Sequence, residues 1–439
     1  MKRFIGVVAI LISLTTCSPE TNYREKSDDP VYLHRSIKEV TDRIVHDIFS
    51  PPVASRIYGY VSIAAYEAAR HTDSTLISLS GQLNGFENVP EPEAGKDYAW
   101  GLACTQATLT TAKAFIFSES DLQKFHDKIL AEYRQMGIPD DVYDRSVAYG
   151  DLLAAHVVAW SGKDNYKQTR SFPKYSIQSS PSSWKPTPPA YMDAIEPHWN
   201  KIRTFVIDSA AQFRCLPPPQ FSTDKNSEFY KLAFEVYDIG KNLTPEQKET
   251  ASFWDCNPFV MNVRGHVMFA TKKISPGGHW MNIVRVASTT AKANIGLSAE
   301  AYVMTALALA DGFIACWDEK YRSLLIRPES YINQYIDPNW VPLLQTPPFP
   351  EYISGHSVIS GAASTALTHV LGNNFAFTDS SEVEYGLSIR SFKSFNEAAS
   401  EAALSRLYGG IHYRPANDIG IAMGRKIGGF ISDKIHTRK

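Results

Sequence analysis

Apolar side chains in this chain recur every three or four residues, which is the period of a helix with one buried face. Ile37, Val40, Ile44 and Ile48 form the first such stripe. Runs that alternate apolar and polar residues, as half-buried strands do, are nearly absent. Because the helical period dominates, the chain is predicted to be all-α, with its helices packed as bundles.

Capping residues and breaks in the periodicity indicate where individual helices begin and end. Thr244-Pro245-Glu246-Gln247 combines a Thr N-cap, a Pro at the first helical position and a Gln three residues after the cap, so a helix is predicted to start there. Residues 163–223 are rich in Pro and Ser and lack periodicity, and we expect a long ordered loop. The other predicted helices run over residues 53–70, 100–116, 119–136, 140–162 and 298–317, from about 354, and over 415–435.

The N-terminal residues are typical of an export signal. Lys2 and Arg3 precede an apolar run that ends at Leu14 and is too short to span a bilayer. Cys17 follows in a sequence that resembles a bacterial lipobox, whose cysteine is lipidated after cleavage, although Thr16 is unusual there. Ordinary secretion without a lipid is the alternative. In either case we expect an exported protein, in the periplasm or held at the cell surface as an outer-membrane lipoprotein.

The remainder of the chain is expected to be one large helical domain, tethered to a membrane by lipid at most, because no other segment offers about 18 consecutive apolar residues. With 44 basic and 46 acidic residues, the formal net charge is −2. Nothing in that balance suggests nucleic acid as a partner, so any anion site requires a local cluster of cations. The assignments are residues 1–17 to a signal peptide, 18–35 to a polar tether, and 36–439 to the single domain, with an N-terminal helical half (36–240) and a second half (241–439).

Four cysteines besides Cys17 stand at positions 104, 215, 256 and 316. Their spacing along the chain matches neither a CxxC motif nor a metal-binding pattern. Disulfides, which an oxidising compartment permits, and buried free thiols both remain open.

Two neighbouring segments carry residues that suit the binding of an oxyanion. Lys320 and Arg327 lie seven residues apart, about two turns of a helix, so their charges are expected to converge. Pro328 is predicted to stop that helix. Ser354-Gly355-His356 then opens a new apolar stretch, where free backbone N–H groups and the helix dipole favour an anion.

A third segment adds another cation and a second histidine. Arg406 has a guanidinium suited to bidentate binding of an oxyanion, and His412 follows it across a Gly-Gly break. Taken singly, each segment has an ordinary explanation, such as a solvated helix end or a structural histidine. The three segments in this order are therefore more informative than any one of them.

The order Lys-x6-Arg-Pro, Ser-Gly-His, Ser-Arg-x5-His resembles the signature of the superfamily that contains vanadium-dependent haloperoxidases and PAP2-type acid phosphatases. Asp255-Cys256-Asn257-Pro258, Gly278-His279-Trp280 with Arg285, and the run from Tyr408 to Arg414 are similar to bacterial vanadium-dependent haloperoxidases in particular. The resemblance covers the C-terminal half by motif and the N-terminal helices by length and class.

This resemblance implies the helical-bundle fold of that superfamily, with the oxyanion site in the half 241–439 and vanadate as cofactor. His412 would be the vanadium ligand, and His356 the acid–base group that assists the binding of hydrogen peroxide. The vanadate oxygens would be held by Lys320, Arg327, Ser354, the Gly355 N–H and Arg406. The implied reaction is the oxidation of a halide, with iodide or bromide favoured, by hydrogen peroxide.

Two other functions stay open on the same residues. In the PAP2-type phosphatases the cage holds a phosphate substrate and needs no cofactor. His412 would then be the nucleophile that forms a phosphohistidine from a phosphomonoester, with His356 as the acid for the leaving group. The third function is passive phosphate binding without turnover, although the sequence keeps every expected donor and both histidines.

Several positions near the motifs depart from the family pattern or are ambiguous. Ile353 stands where a Pro usually precedes Ser-Gly-His. The Asp often found four residues after the ligand histidine is Ala416 here, and Asp418 is considered as a substitute that would orient His412. Trp317 and Phe349 flank the motifs, where they are either core packing or the apolar wall of a halide pocket.

Overall fold

The structure is a computed structural model that describes residues 22–258, 260–264 and 267–439. The predicted signal peptide and lipobox, residues 1–17, lie outside the described residues. Within the described part, fifteen α-helices form the body and the strands form two short antiparallel hairpins, so the all-α prediction is confirmed. The helices are α1 (Asn22–Ser27), α2 (Val31–His46), α3 (Pro51–Ala69), α4 (Trp100–Lys113), α5 (Glu119–Arg134), α6 (Asp140–Ser161), α7 (Tyr166–Thr169), α8 (Glu228–Lys241), α9 (Pro245–Phe253), α10 (Pro276–Thr290), α11 (Ile295–Ser323), α12 (Pro328–Tyr335), α13 (Gly355–Leu371), α14 (Phe395–Tyr408) and α15 (Arg414–Lys434). The hairpins pair β1 (Val260–Arg264) with β2 (Val267–Thr271) and β3 (Phe377–Asp379) with β4 (Arg390–Phe392).

The central element is α11, which is buried on nearly all sides. Its length and apolar composition would suit a membrane span, but its apolar stretch is entirely buried inside the protein. Helices α3, α10, α13 and α15 pack around it. An all-round apolar helix of this kind is a core helix, and its C-terminal end carries Lys320 into the middle of the fold.

The closest helix pair is α13 with α15, and glycines allow their approach. A Cβ atom on Gly424 would lie 2.0 Å from the carbonyl oxygen of Val358, and one on Gly361 would lie 2.6 Å from that of Ile421. Larger residues would therefore separate the two backbones. This contact matters for function because α13 begins at Ser354-Gly355-His356 and α15 follows His412.

Most of the predicted helices are present near their predicted bounds. Thr244 forms the predicted capping box, in which its hydroxyl accepts from the Gln247 N–H and the Gln247 side chain accepts from the Thr244 N–H. Residues 163–223 form an ordered excursion that contains α7 and a single 3-10 turn at Trp199–Lys201. Helices α8, α10, α12 and α14 and the two hairpins were not predicted.

The structure corrects two predicted ends of α11. The helix begins at Ile295 rather than at Ser298, because the side chain of Asn294 accepts from the Leu297 N–H and caps it. It ends at Ser323, where Leu324 adopts a left-handed backbone with φ of 52°. Pro328 therefore does not end α11, although the sequence predicted that it would. It occupies the first position of α12, where a proline lacks no needed N–H.

The segment predicted to be a polar tether is also different where the structure describes it. Residues 22–27 form α1, and α2 begins at Val31. Tyr23 and Leu33 are buried in the core and fix these helices to the body. The apolar anchors are sparse among polar residues, which is why the composition alone suggested a tether.

The cysteines at positions 104, 215, 256 and 316 are free thiols. Of the two alternatives that the sequence left open for them, buried or partly buried thiols are the one observed.

Candidate active site

Lys320 and Arg327 converge, although a turn and not a continuous helix brings them together. Both side chains are fully buried and face the ring of Phe349, with Lys320 Nζ at 5.0 Å and Arg327 Cζ at 5.1 Å from its centroid. Lys320 Nζ donates to the carbonyls of Pro350 (2.9 Å) and Glu351 (3.1 Å). The left-handed residue Leu324 reverses the chain between the two cations, so they meet over one loop.

Arg327 has a donor that no described protein atom satisfies. Its Nε donates to the Phe349 carbonyl at 2.9 Å, and its Nη1 lies 2.9 Å from the Ile411 carbonyl and 3.2 Å from His412 Nε2. Its Nη2 is buried without a hydrogen-bond partner. Because an unpaired buried guanidinium nitrogen is costly, this atom calls for an acceptor beside His412.

His412 is oriented by a carboxylate that the sequence analysis did not identify. Its Nδ1 lies 2.8 Å from Glu351 Oε1, which also accepts from the Tyr413 N–H at 3.0 Å. Arg327 Nη1 can only donate to Nε2, so the imidazole carries its proton on Nδ1, beside Glu351, and Nε2 holds the lone pair. Asp418, the predicted substitute, is exposed and pairs electrostatically with Arg414 instead.

Ser354 and Gly355 form the N-terminus of α13, as predicted. The hydroxyl oxygen of Ser354 accepts from Ser357 Oγ at 2.8 Å, and its N–H donates to the Ala416 carbonyl at 3.1 Å. A Cβ atom on Gly355 would lie 3.6 Å from the ring of Trp317 and 4.0 Å from Lys320 Cε. The missing side chain thus leaves a space between the helix N-terminus and the cation.

Arg406 and His356 form the opposite side of this space. Arg406 lies in the last turn of α14, fully buried, and its Nη1 donates to His356 Nε2 at 3.1 Å. His356 also makes a hydrogen bond to the backbone of Trp254. Since Arg406 can only donate, Nε2 of His356 is unprotonated in this arrangement.

Burial makes every charge in the site costly. It lowers the pKa of Lys320 to about 7 and the pKa of Arg327 to about 10, and it raises the pKa of Glu351 to about 7. Burial, reinforced by the neighbouring cations, also holds the pKa values of His356 and His412 well below the ordinary value. Both histidines are therefore neutral near pH 7, and an anion would stabilise the three cations around them.

Trp317 and Phe349 line the cavity in front of these residues, with their ring centroids 5.0 Å apart. Phe313 and Pro347 continue the same apolar wall. The Trp317 indole donates to the Ile195 carbonyl at 3.2 Å, which fixes the ring. Of the two interpretations of this pair, core packing is observed for both side chains, and both also line the cavity.

The donor set fits a tetrahedral oxyanion such as vanadate or phosphate. It offers three cations, a hydroxyl and a helix N-terminus, and one imidazole lone pair at His412 Nε2 beside the unpaired Arg327 Nη2. The Gly355 space lies between them. The fold brings together all seven residues that the sequence predicted for the oxyanion site and its two histidines. Glu351 is a further site residue that the sequence analysis did not predict. Its position directly before Tyr352-Ile353-Ser354 was the available signal.

Known proteins resemble this chain in sequence and in structure. Residues 333–438 match the family model of the VCPO second helical-bundle domain. Among solved structures, the first bacterial vanadium-dependent iodoperoxidase is 49% identical with a TM-score of 0.89, and the match covers 94% of this chain and 98% of that one.

Two crystal structures of bacterial vanadium-dependent chloroperoxidase share the fold. The apo form is 17% identical with a TM-score of 0.66, covering 88% of this chain and 94% of that one. The holo form is 18% identical with a TM-score of 0.65, covering 88% of this chain and 93% of that one. No curated protein sequence matches the chain.

Proposed function

This chain belongs to the family of vanadium-dependent haloperoxidases, and from that premise we propose that it oxidises iodide with hydrogen peroxide, using vanadate as its cofactor. The observation that carries the proposal is the lone pair of His412 Nε2, held in place by Glu351 and flanked by the unpaired Nη2 of Arg327. A buried imidazole lone pair among cations suits an oxyanion that accepts one nitrogen ligand.

His412 would bind the vanadium through Nε2, and the cations and the α13 N-terminus would hold the oxygens. The residues that would neutralise and orient them are Lys320, Arg327, Ser354, the Gly355 N–H and Arg406. When bound, vanadate supplies Lewis-acid activation of peroxide towards the halide.

Glu351 keeps His412 in the correct tautomer, because its carboxylate accepts a hydrogen bond from the Nδ1–H group. The cations do not have to reorganise during the reaction, since backbone carbonyls already hold Lys320 and Arg327 in place. His356 would be the acid–base group that assists the binding of hydrogen peroxide, with Nε2 unprotonated and bonded to Arg406. A bound anion would offset the cations that hold its pKa low and so make it a stronger base.

The choice of iodide rests on the cavity wall and on the similarity to the iodoperoxidase. Trp317, Phe349 and Phe313 present apolar surface where a halide would approach. A large, weakly hydrated anion loses the least hydration free energy when such a wall displaces its water. Iodide is therefore expected to react fastest, bromide more slowly and chloride slowest.

The test is halide oxidation by the purified protein before and after incubation with vanadate. Activity that appears with vanadate, follows the order iodide, bromide, chloride, and requires hydrogen peroxide would support the proposal. A vanadate-loaded protein that oxidises none of the three halides would contradict it.

A second activity, hydrolysis of phosphomonoesters by the vanadate-free protein, is favoured by one observation. Glu351 supplies the carboxylate partner that a nucleophilic His412 would need, which the sequence seemed to lack. Phosphatase activity that vanadate inhibits, with a phosphoenzyme that His412→Ala does not form, would support this function. No hydrolysis across several phosphomonoesters would count against it.

We also propose export and attachment by lipid, from Lys2, Arg3 and the lipobox-like sequence at Cys17. Expression of the full chain followed by membrane fractionation tests this. Membrane association that Cys17→Ala abolishes is the expected result. A soluble wild-type protein cleaved elsewhere would favour ordinary secretion.

A further inference from the structure

A second polar cluster adjoins the cavity, which its member Cys256 lines, and its donor atoms differ in kind from those of the oxyanion cage. Cys256 follows α9, His279 lies in the first turn of α10, and Glu382 lies in the loop after β3. All three side chains are buried. His279 Nδ1 lies 3.0 Å from Glu382 Oε1 and 3.3 Å from Cys256 Sγ, and these last two atoms are 3.8 Å apart.

These separations match the edges of a tetrahedron around a metal ion. Zinc bonds of about 2.0 Å to nitrogen or oxygen and about 2.3 Å to sulfur place neighbouring ligand atoms roughly 3.3–3.7 Å apart. The three observed distances lie within a few tenths of an ångström of that range. The set of one thiol, one imidazole and one carboxylate is also one that zinc accepts.

Without a metal, hydrogen bonds hold the cluster together, because His279 Nδ1 and the Cys256 thiol can each donate a proton to Glu382 Oε1. A thiol is a weak partner for either group. A metal ion would displace both protons and take the same three atoms as ligands. A cation between the three atoms would satisfy all of them at once.

The far side of His279 has the support that metal-binding histidines usually have. Its Nε2 lies 2.7 Å from Asp379 Oδ2, and Asp379 Oδ1 accepts from the Ser381 N–H at 2.9 Å. The indole of Trp254 stacks on the imidazole at a centroid distance of 4.6 Å. A carboxylate on the second nitrogen fixes the ring and makes the first nitrogen a better ligand.

We propose that Cys256, His279 and Glu382 bind a zinc ion, with Asp379 as the partner that orients His279. The fourth position is taken by a water molecule or by the second oxygen of Glu382. This ion joins α9, α10 and the β3–β4 hairpin, three elements that are far apart in sequence. It also anchors the loop whose residue Trp254 makes the backbone hydrogen bond to His356. The role of the zinc is thus structural, and its ligands differ from those of the vanadate site, although Cys256 also lines the cavity of that site.

Zinc binding is measured on vanadate-free protein that has been dialysed against a chelator, incubated with zinc chloride and desalted. Elemental analysis is expected to find one zinc ion per chain, and the melting temperature is expected to rise with zinc. Cobalt(II) in place of zinc is expected to give a thiolate-to-cobalt charge-transfer absorption. Absence of stoichiometric zinc in the wild-type protein would overturn the proposal.

Matched variants separate this site from adventitious binding. Cys256→Ser is expected to lose the cobalt–thiolate absorption, whereas Cys104→Ser, which changes a buried thiol in α4, is expected to keep it. Asp379→Asn is expected to weaken zinc binding about 10–100-fold, as loss of a partner to a metal-binding histidine does. Zinc retained in full by Cys256→Ser, with its cobalt spectrum unchanged, would show that the ion binds elsewhere. The zinc content of the wild-type protein tests the proposal without any variant, so a variant that fails to fold does not leave the proposal untested.

Discussion

Two buried polar clusters adjoin the loop formed by residues 254–257, and they are opposite in character. In the oxyanion cage, donors from Lys320, Arg327 and Arg406 surround one imidazole lone pair. In the second cluster, atoms that accept or ligate surround His279. Trp254 joins the two, because its backbone bonds to His356 and its ring stacks on His279.

The chemical type of the converging atoms in each cluster indicates the charge of the ligand that it would bind. An unpaired guanidinium nitrogen at Arg327 indicates an anion. A thiol, a carboxylate and an imidazole nitrogen that lie within 3.8 Å of one another form a donor set that suits a cation. Most buried polar groups are paired in folded proteins, and the unpaired nitrogen of Arg327 is informative because it lies beside the imidazole of His412. Four substitutions test the anion side of this comparison.

His412→Ala should have the largest effect, because it removes the nitrogen ligand of the cage. Vanadate-dependent iodide oxidation is expected to fall about a thousandfold or more. His369→Ala, which changes an exposed histidine in α13, is the matched control and should leave the rate unchanged. Steady-state rates of triiodide formation measure both. Substantial activity in His412→Ala would remove this residue from the mechanism.

Glu351→Gln should have the next largest effect. The amide can no longer enforce a proton on His412 Nδ1, and vanadate affinity is expected to fall roughly 10–100-fold. Asp418→Asn should leave the affinity unchanged, since that carboxylate is exposed and interacts with Arg414 instead of His412. Equilibrium dialysis with vanadate checks both variants. A larger loss in Asp418→Asn than in Glu351→Gln would reverse the assignment.

These two variants also show where sequence-based reasoning reached its limit. Periodicity and capping residues predicted a helix well where residues within that helix determine its ends, as the Thr244 capping box does. Pro328 was misread because a proline suits both the end of one helix and the start of the next, and Leu324 gives no glycine signal for the left-handed turn. Glu351 stands close to the Ser354-Gly355-His356 motif, but only the fold shows that it, and not Asp418, pairs with His412.

The histidine at position 279 illustrates the same limit for the second cluster. Cys256, His279 and Glu382 are separated by 23 and 103 residues along the chain, so no spacing pattern connects them. The cage residues were predictable because their motifs are short and lie in a known order. The second cluster was not predictable, because only the packed fold brings its members together.

Lys320→Met should change the pH dependence of vanadate binding. Burial lowers the pKa of Lys320 to about 7, and a bound anion favours the charged ammonium. Below pH 7 the wild-type protein is already charged, so its affinity should exceed that of the variant by roughly 10–100-fold. Above pH 7 it must first take up a proton, and this advantage should shrink by up to about tenfold per pH unit.

The ratio of the two affinities at each pH is the quantity to measure, because it cancels the titration of vanadate itself. Calorimetric titrations between pH 6 and pH 9 supply it. A ratio that stays constant over this interval would mean that Lys320 keeps its charge throughout.

Trp317→Phe should have the smallest effect. The substitution keeps an aromatic wall but removes part of the apolar surface and the hydrogen bond to the Ile195 carbonyl. A loss of about 1 kcal/mol of apolar contact corresponds to roughly a fivefold rise in KM for iodide with kcat little changed. Phe172→Leu, a change at an exposed ring outside the cavity, is the control. A kcat loss larger than the KM change would place Trp317 in the chemistry rather than in the wall.

The most direct test of the central claim, that the donor cluster at His412 holds vanadate, is the vanadium content of three proteins after incubation with vanadate and desalting. We expect one vanadium atom per chain in the wild-type protein, close to none in His412→Ala, and wild-type content in Cys104→Ser. Equal vanadium in the wild-type protein and in a folded His412→Ala would contradict it.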